Sequence, residues 1–201
     1  MCIRDSHAVA AVVGVARAAA AAAARLAALE ALARQCDELA ANDATLLYDR
    51  ARDLLVIGYN VDDHRLDPSH YDLLASEARL ASYLGIAANQ LPQANWFRLG
   101  RQLTMTVGGP ALMSWSGSMF EYLMPMLLMP SYPGTLLDAT ARAVVDQQIA
   151  DGRRHGVPWG VSESGYNATD AQLNYQYRAF GVPGLGFKRG LGDDLVIAPY
   201  A

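Results

Sequence analysis

The sequence predicts an all-α fold with one small β-hairpin near its start. Apolar residues recur every three or four positions in four long segments, which is the spacing of amphipathic helices. A pair of apolar runs around a short polar turn occurs once, and no repeat of fixed period is present. The chain has 201 residues, of which 52% are hydrophobic and 18% charged. It is therefore long and apolar enough to bury one sizeable core.

The first 43 residues are predicted to contain an artefact followed by an Ala-rich linker helix. Residues 1–6 (MCIRDS) continue into no pattern, and we interpret them as a cloning or sequencing scar. Residues 7–43 hold the linker, with a helix over 8–41. Two arginines interrupt its apolar run, which falls short of the roughly 20 residues that a membrane span needs. We therefore expect a soluble helix without a membrane span.

The remaining elements are predicted from local patterns between residues 44 and 201. Paired apolar runs indicate the hairpin, and N-cap residues, prolines and glycines mark where helices begin and end. The expected order is a hairpin over 46–59, a helix from Asp67 to about Ala88, an irregular stretch over 92–113, a helix over 116–129 bent at Pro125, a helix over 135–154, and loops after Gly160.

Composition excludes several functional classes. A net charge of -4 without a basic stripe argues against nucleic acid binding. The two cysteines and four histidines show no zinc-binding spacing, so we expect neither a metal nor an organic cofactor.

The five glutamates fall into two groups by their sequence neighbours. Glu30 and Glu38 lie on the Ala-rich helix, whereas Glu77, Glu121 and Glu163 lie among aromatic or Ser-rich neighbours. Aromatic rings can stack on sugar rings, small polar residues can bond hydroxyls, and a carboxylate can act on a glycosidic oxygen. These residues therefore indicate a carbohydrate-binding or carbohydrate-processing function.

Each of these three glutamates also has a structural interpretation. Glu77 falls on or beside the apolar stripe of its helix, where it must be functional or paired with an arginine such as Arg79. Glu121 near the start of a helix is favoured by the helix dipole. Glu163 in a loop can cap a local turn.

Six segments of the chain, in order, carry a family resemblance. They are YDLLASEARL (71–80), WFRLGR (96–101), SWSGSMFEYLMP (114–125), GVPWGVSES (156–164), GVPGLG (181–186) and DLVIAPYA (194–201). Together they resemble the glycoamylase-like domain of bacterial cyclic β-1,2-glucan synthases. The similarity spans roughly residues 46–201 without large gaps.

The resemblance implies an (α/α)6 toroid, of which residues 44–201 would form a truncated N-terminal half. It implies an enzyme that closes linear β-1,2-glucan into a ring by retaining transglycosylation. Glu163 is then the expected nucleophile and Glu77 the expected acid/base, since a retaining reaction needs two carboxylates. We expect the isolated segment to be inactive.

The resemblance also extends the predicted site and its surroundings. The expected substrate-binding residues, each of which can instead serve the core or an ion pair, are Glu121, Trp115, Tyr122, Trp159, Tyr166, Asn167, Trp96 and Arg98. The expected partners are linear β-1,2-glucan and the glycosyltransferase and phosphorylase-like regions of the same parent chain. The implied location is the cytoplasmic side of the bacterial inner membrane, as part of a larger membrane protein.

Two other functions stay open on the sequence. The same carboxylates with water as acceptor would make a β-1,2-glucan hydrolase, as in related endo-glucanases. Alternatively, the segment is a non-catalytic carbohydrate-binding or structural part of a larger protein.

Overall fold

The computed structural model describes residues 3–41, 43–70, 72, 74 and 78–198. The chain divides into two compact units, Met1–Asp43 and Ala44–Ala201.

The first unit is a single long helix, α1 (Ile3–Ala40). Its side chains from Val12 onward are almost all exposed, and the high helix propensity of alanine accounts for a helix in such a segment. The helix predicted over 8–41 is thus confirmed. The segment Val12–Leu47, with a mean hydropathy of 1.6 in its most apolar window, is long and apolar enough to cross a membrane. An N-terminal signal sequence passes the same test, so the expectation of a soluble helix stays a prediction.

The second unit begins with a 3-10 helix (Ala44–Leu47) and the hairpin that the sequence predicts. Strands β1 (Tyr48–Asp49) and β2 (Leu54–Leu55) pair antiparallel, with Tyr48 opposite Leu55. The Asp49 carboxylate accepts hydrogen bonds from the backbone N–H groups of Ala51 and Arg52, which fixes the polar turn.

Three more hairpins show that the prediction of an all-α toroid is wrong. The described residues form four two-stranded antiparallel sheets beside the helices, so the fold is mixed α/β. The additional pairs are β3 (Tyr59–Asn60) with β4 (Arg65–Leu66), β5 (Leu103–Thr106) with β6 (Gly109–Leu112), and β7 (Glu163–Thr169) with β8 (Tyr175–Ala179).

The all-α prediction failed because two stretches expected to be irregular, residues 103–112 and 163–179, form strand pairs instead. Residues 103–106 alternate between exposed and half-buried positions. This is the pattern of a strand with one face toward solvent, because successive side chains point to opposite faces. The turn at Gly108–Gly109 then reverses the chain, with Gly109 at a φ of 111°. Short strands of this kind carry no helical period and take their stability from the partner strand.

The shorter helices only partly match the predicted ones. They are α2 (Ala78–Ala87), α3 (Ala94–Arg98), α4 (Met119–Leu123) and a 3-10 turn (Met124–Leu127) containing Pro125. The predicted helix start at Asp67 is wrong. Asp67 accepts a hydrogen bond from the Ser69 N–H in a local turn, and His70 pairs in a β-bridge with Val56.

Helix α5 (Leu136–His155) follows the prediction closely and supplies much of the core. Thr135 caps its first turn, and Gly156 ends it in the left-handed conformation at a φ of 68°. Ala143 and Val144 of α5 are buried against a core shared by β6, α4 and the loop after β8. The buried members of this core include Ala111, Leu112, Met119, Tyr122, Phe180, Val182 and Leu185.

Candidate functional site

A cavity of about 670 Å³ in the second unit brings together titratable and aromatic side chains. Its wall holds three carboxylates (Asp72, Glu121, Glu163), the imidazole of His70, the amine of Lys188 and the rings of Trp115 and Phe187. Carboxylates beside exposed aromatic rings suit a ligand with both hydroxyl groups and apolar ring faces.

Glu121 is held at the inner wall by a dense set of hydrogen bonds and is only 3% exposed. Its Oε2 accepts from the hydroxyls of Ser114 (3.0 Å), Ser116 (2.5 Å) and Ser118 (3.0 Å), and from the Ser118 N–H (3.1 Å). Its Oε1 accepts from the Ser116 N–H at 3.0 Å. Ser118 in turn caps helix α4, because its hydroxyl accepts from the Glu121 N–H. This is the reciprocal capping box that Ser-x-x-Glu spacing predicts.

These bonds give Glu121 a structural task. Both carboxylate oxygens are engaged by the loop that precedes α4, so the carboxylate fixes the shape of that loop. The buried guanidinium of Arg79 adds support from α2 by donating to the backbone carbonyls of Glu121 (3.3 Å) and Tyr122 (2.9 Å). Burial lowers the pKa of Arg79 to about 10.

The same loop is joined to the glycine-rich segment after β8. The Ser114 N–H donates to the Leu185 carbonyl (3.0 Å), and the Lys188 N–H donates to the Trp115 carbonyl (2.9 Å). A Cβ atom at Gly181 would lie 1.7 Å from the Ser116 carbonyl oxygen, so only glycine allows this approach. Trp115 is thereby held at the cavity with its side chain 61% exposed.

Glu163 reaches the cavity as the first residue of β7, opposite Ala179 of β8. The backbone just before it is fixed by buried Gln148 of α5. The Gln148 amide donates to the Val161 carbonyl (2.8 Å) and accepts from the Val161 N–H (2.8 Å). The Glu163 side chain is half-buried, and its Oε2 accepts a hydrogen bond from the Tyr177 hydroxyl at 3.0 Å. Glu163 is therefore both oriented and open to the cavity.

The predicted acid/base Glu77 lies outside the described residues. Of the other predicted site residues, Tyr122 lies in the core instead of on the cavity wall. Its hydroxyl is shared between the carbonyls of Leu185 (2.7 Å) and Leu112 (2.9 Å) and accepts from the Ser114 N–H. Burial raises the pKa of Tyr122 well above its usual range.

The remaining predicted residues lie on other surfaces. Tyr166 packs edge-on against Phe180 on the opposite face of the β7–β8 hairpin from Glu163. Asn167 is exposed on β7. Trp159 follows α5 and is 38% exposed.

Two further predicted residues, Trp96 and Arg98, lie on helix α3. Trp96 lines a second, mostly apolar cavity of about 510 Å³. The Nε of Arg98 lies 3.6 Å from an Asp53 oxygen. The described part of the chain therefore gathers Glu121, Glu163 and Trp115 from the predicted set into one cavity, and not the other described members.

Sequence reasoning missed Asp72 as a cavity residue. Asp72 was not among the predicted site residues, but it is half-buried on the cavity wall, and its Oδ1 accepts from the Leu74 N–H at 3.1 Å. The available signal was its position in the same motif as Glu77, YDLLASEARL. His70, beside it, lies 3.3 Å from an Asp49 oxygen through Nε2. Among the described residues, no three His, Cys, Asp or Glu side chains are grouped closely enough to hold a metal ion.

The geometry thus defines a carboxylate-bearing, aromatic-edged cavity of the kind that suits a carbohydrate. Over 159 residues, 79% of its length, the chain is 54% identical to the cyclic beta-(1,2)-glucan synthase NdvB of Rhizobium meliloti (strain 1021). The chain spans 6% of the length of that protein. No protein-family model matches the chain. The identity supports an origin of this chain in a cyclic β-(1,2)-glucan synthase, and so in an enzyme.

Proposed function

We propose that this chain is a segment of a cyclic β-1,2-glucan synthase that binds linear β-1,2-glucan and takes part in closing it into a ring. The observation that carries the proposal is Glu163, oriented by Tyr177 and open to a cavity edged by Trp115. The 54% identity to a protein of that name supplies the substrate class. The reaction proposed is a retaining transglycosylation.

In this mechanism Glu163 is the nucleophile and Glu77 the acid/base. The Glu163 carboxylate attacks the anomeric carbon, and Glu77 protonates the departing glycosidic oxygen, so that one C–O bond breaks as another forms. Glu77 then removes the proton from a hydroxyl at the other end of the same glucan, and that oxygen displaces Glu163. Carboxyl groups about 5–5.5 Å apart suit this double displacement.

The other cavity residues take supporting roles. Trp115 offers an exposed ring face on which a glucosyl unit can stack. Glu121 acts by fixing the loop that carries Trp115, because its oxygens already accept hydrogen bonds from that loop. Substrate contacts by Trp96, Arg98, Tyr122, Trp159, Tyr166 and Asn167 stay predictions.

The same proposal covers the surroundings of the segment. Residues 7–43 would serve as a linker from an upstream glycosyltransferase region, and 44–201 would belong to the glycoamylase-like domain, with a phosphorylase-like region further along. The parent protein would act at the cytoplasmic side of the bacterial inner membrane.

The test combines binding by this chain with turnover by a full-length relative. Calorimetry measures the affinity of the chain for linear β-1,2-glucan, and mass spectrometry follows the products of the full-length synthase. Glu163→Gln and Glu77→Gln, made at the matching positions, should abolish ring formation. Asp62→Asn, at an exposed turn position within the region of similarity, is the matched control and should change nothing.

Each alternative has its own outcome in this test. Shorter linear products in place of rings would make the site a hydrolase. Binding by the chain, with rings surviving in Glu163→Gln, would support a non-catalytic binding segment. Failure of the unaltered chain to bind β-1,2-glucan would contradict the proposal.

A further inference from the structure

Strand β8 carries two exposed tyrosines to which the proposed function assigns no contact with the substrate. Tyr175 is 79% exposed and Tyr177 is 64% exposed, whereas tyrosine is on average intermediate in burial. Both lie on a hairpin whose other face is packed: Tyr166 and Phe180 meet edge-on there, and the Arg178 guanidinium lies 4.5 Å from the Phe180 ring centre.

The alternation of the strand places these tyrosines in line with the cavity. Ala179 and Glu163 are opposite each other at the cavity wall, and residues two apart on a strand share a face. Tyr177 and Tyr175 therefore follow Ala179 outward along one face, in steps of about 6.6 Å. The hydrogen bond from the Tyr177 hydroxyl to Glu163 joins the first step to the carboxylate.

We infer that the Tyr175–Tyr177 face of β8 is a glucosyl-binding surface that continues the cavity outward from Glu163. This inference rests on the proposed function, and it adds the path that the bound glucan takes beyond the cavity. The occupant is a further stretch of the same β-1,2-glucan, because the surface adjoins the carboxylate that would hold the reacting unit. Tyrosine suits this task, since its ring offers an apolar face and its hydroxyl a polar edge.

Substrate length distinguishes this surface from a merely structural hairpin. On this inference, a disaccharide of β-1,2-linked glucose would be held by the cavity of about 670 Å³ alone, whereas a long linear chain would also cross the face of β8. Tyr175→Ala should therefore weaken binding of the long chain about three- to tenfold, as expected for loss of one stacking contact. The same substitution should leave disaccharide binding unchanged.

Matched variants separate stacking from hydrogen bonding and from general damage. Tyr177→Phe keeps the ring but loses the bond to Glu163, so it should retain the preference for long chains that Tyr177→Ala loses. Tyr132→Ala removes an equally exposed tyrosine that lines the second cavity, and it should change neither affinity.

Calorimetry of each folded variant with both ligands decides the question. Equal loss of affinity for short and long ligands in Tyr175→Ala, or no loss for either, would overturn the inference while leaving the proposed function intact. If the unaltered chain binds neither ligand, both proposals fail together.

Discussion

Two glutamates with similar sequence surroundings, Glu121 and Glu163, have opposite physical situations. Both lie among serines, a glycine and aromatic residues, and both reach the wall of one cavity. Glu121 is buried and accepts hydrogen bonds from three serines of its own loop, whereas Glu163 is half-buried and is oriented by a tyrosine from the neighbouring strand. Residue type and neighbours therefore indicate a carboxylate site, but the hydrogen bonds distinguish a carboxylate engaged by its own loop from one held by a neighbouring strand.

The largest expected difference in stability is between the two variants in which one carboxylate is exchanged for an amide. Glu121→Gln turns an amide N–H₂ toward donors that need an acceptor, which leaves buried groups unsatisfied. We expect the free energy of unfolding to fall by about 3–5 kcal/mol. Glu163→Gln should lower it by less than about 1 kcal/mol. Urea denaturation of both variants checks the difference, and equal losses would remove the distinction between the two sites.

A smaller loss of stability is expected from a substitution at Gly181, which packs against the backbone of the loop that Glu121 holds. An added methyl group would meet the Ser116 carbonyl at 1.7 Å, so backbone must move. Gly181→Ala should cost about 3 kcal/mol, in the range of overpacked cores. Gly58→Ala is the control, because a Cβ atom added there would have no atom within 4 Å and the cost should stay within about 0.5 kcal/mol. Similar melting curves for the two variants would show that the loop is not held from behind.

The smallest effect is a local pH response at the tip of the β7–β8 hairpin. The Asp170 carboxylate accepts from the N–H groups of Asn174 and Gln172 at 2.9 Å, and the Asn174 N–H is the first cause that lowers its pKa. A lowered pKa means that this stabilisation is present above the ordinary value of about 3.9 and is lost as pH falls through the folded value.

Amide hydrogen exchange at Gln172 and Asn174 measures this response. Protection should drop on acidification below about pH 4, and Asp170→Ala should lack protection at neutral pH. Protection that is unchanged across this range in the unaltered chain would show that the turn does not depend on Asp170.

Long helices were predictable because their signals are local. Helix α5 has a cap residue, a helical period and a terminating glycine within its own sequence, and α1 is rich in the best helix former. The β1–β2 hairpin was predictable for the same reason, since its turn residues bond to each other.

The β5–β6 and β7–β8 pairs were missed because strand pairing depends on residues further along the chain. Residues 163–169 become a strand only opposite 175–179, with a register shift between Tyr166 and Thr169. The all-α prediction was wrong for the same reason, since the local patterns left these stretches as irregular segments and loops.

The candidate site was predictable in part. Trp115, Glu121 and Glu163 meet in one cavity, but the capping-box spacing of Ser118 and Glu121 was not used to recognise a structural glutamate. For Asp72 the sequence offered only its place in the motif that also holds Glu77, because the folded chain is what brings Asp72 to the same cavity as Glu163.

The contact of Gly181 with the Ser116 backbone has a consequence for binding entropy. A loop backed by main chain and tied down by a buried carboxylate has few conformations left to lose when a ligand arrives. The backbone that carries Trp115 is thus fixed before any ligand is present. If β-1,2-glucan is the ligand, as proposed, little of the ordering cost of association would come from this loop and most of it from the glucan.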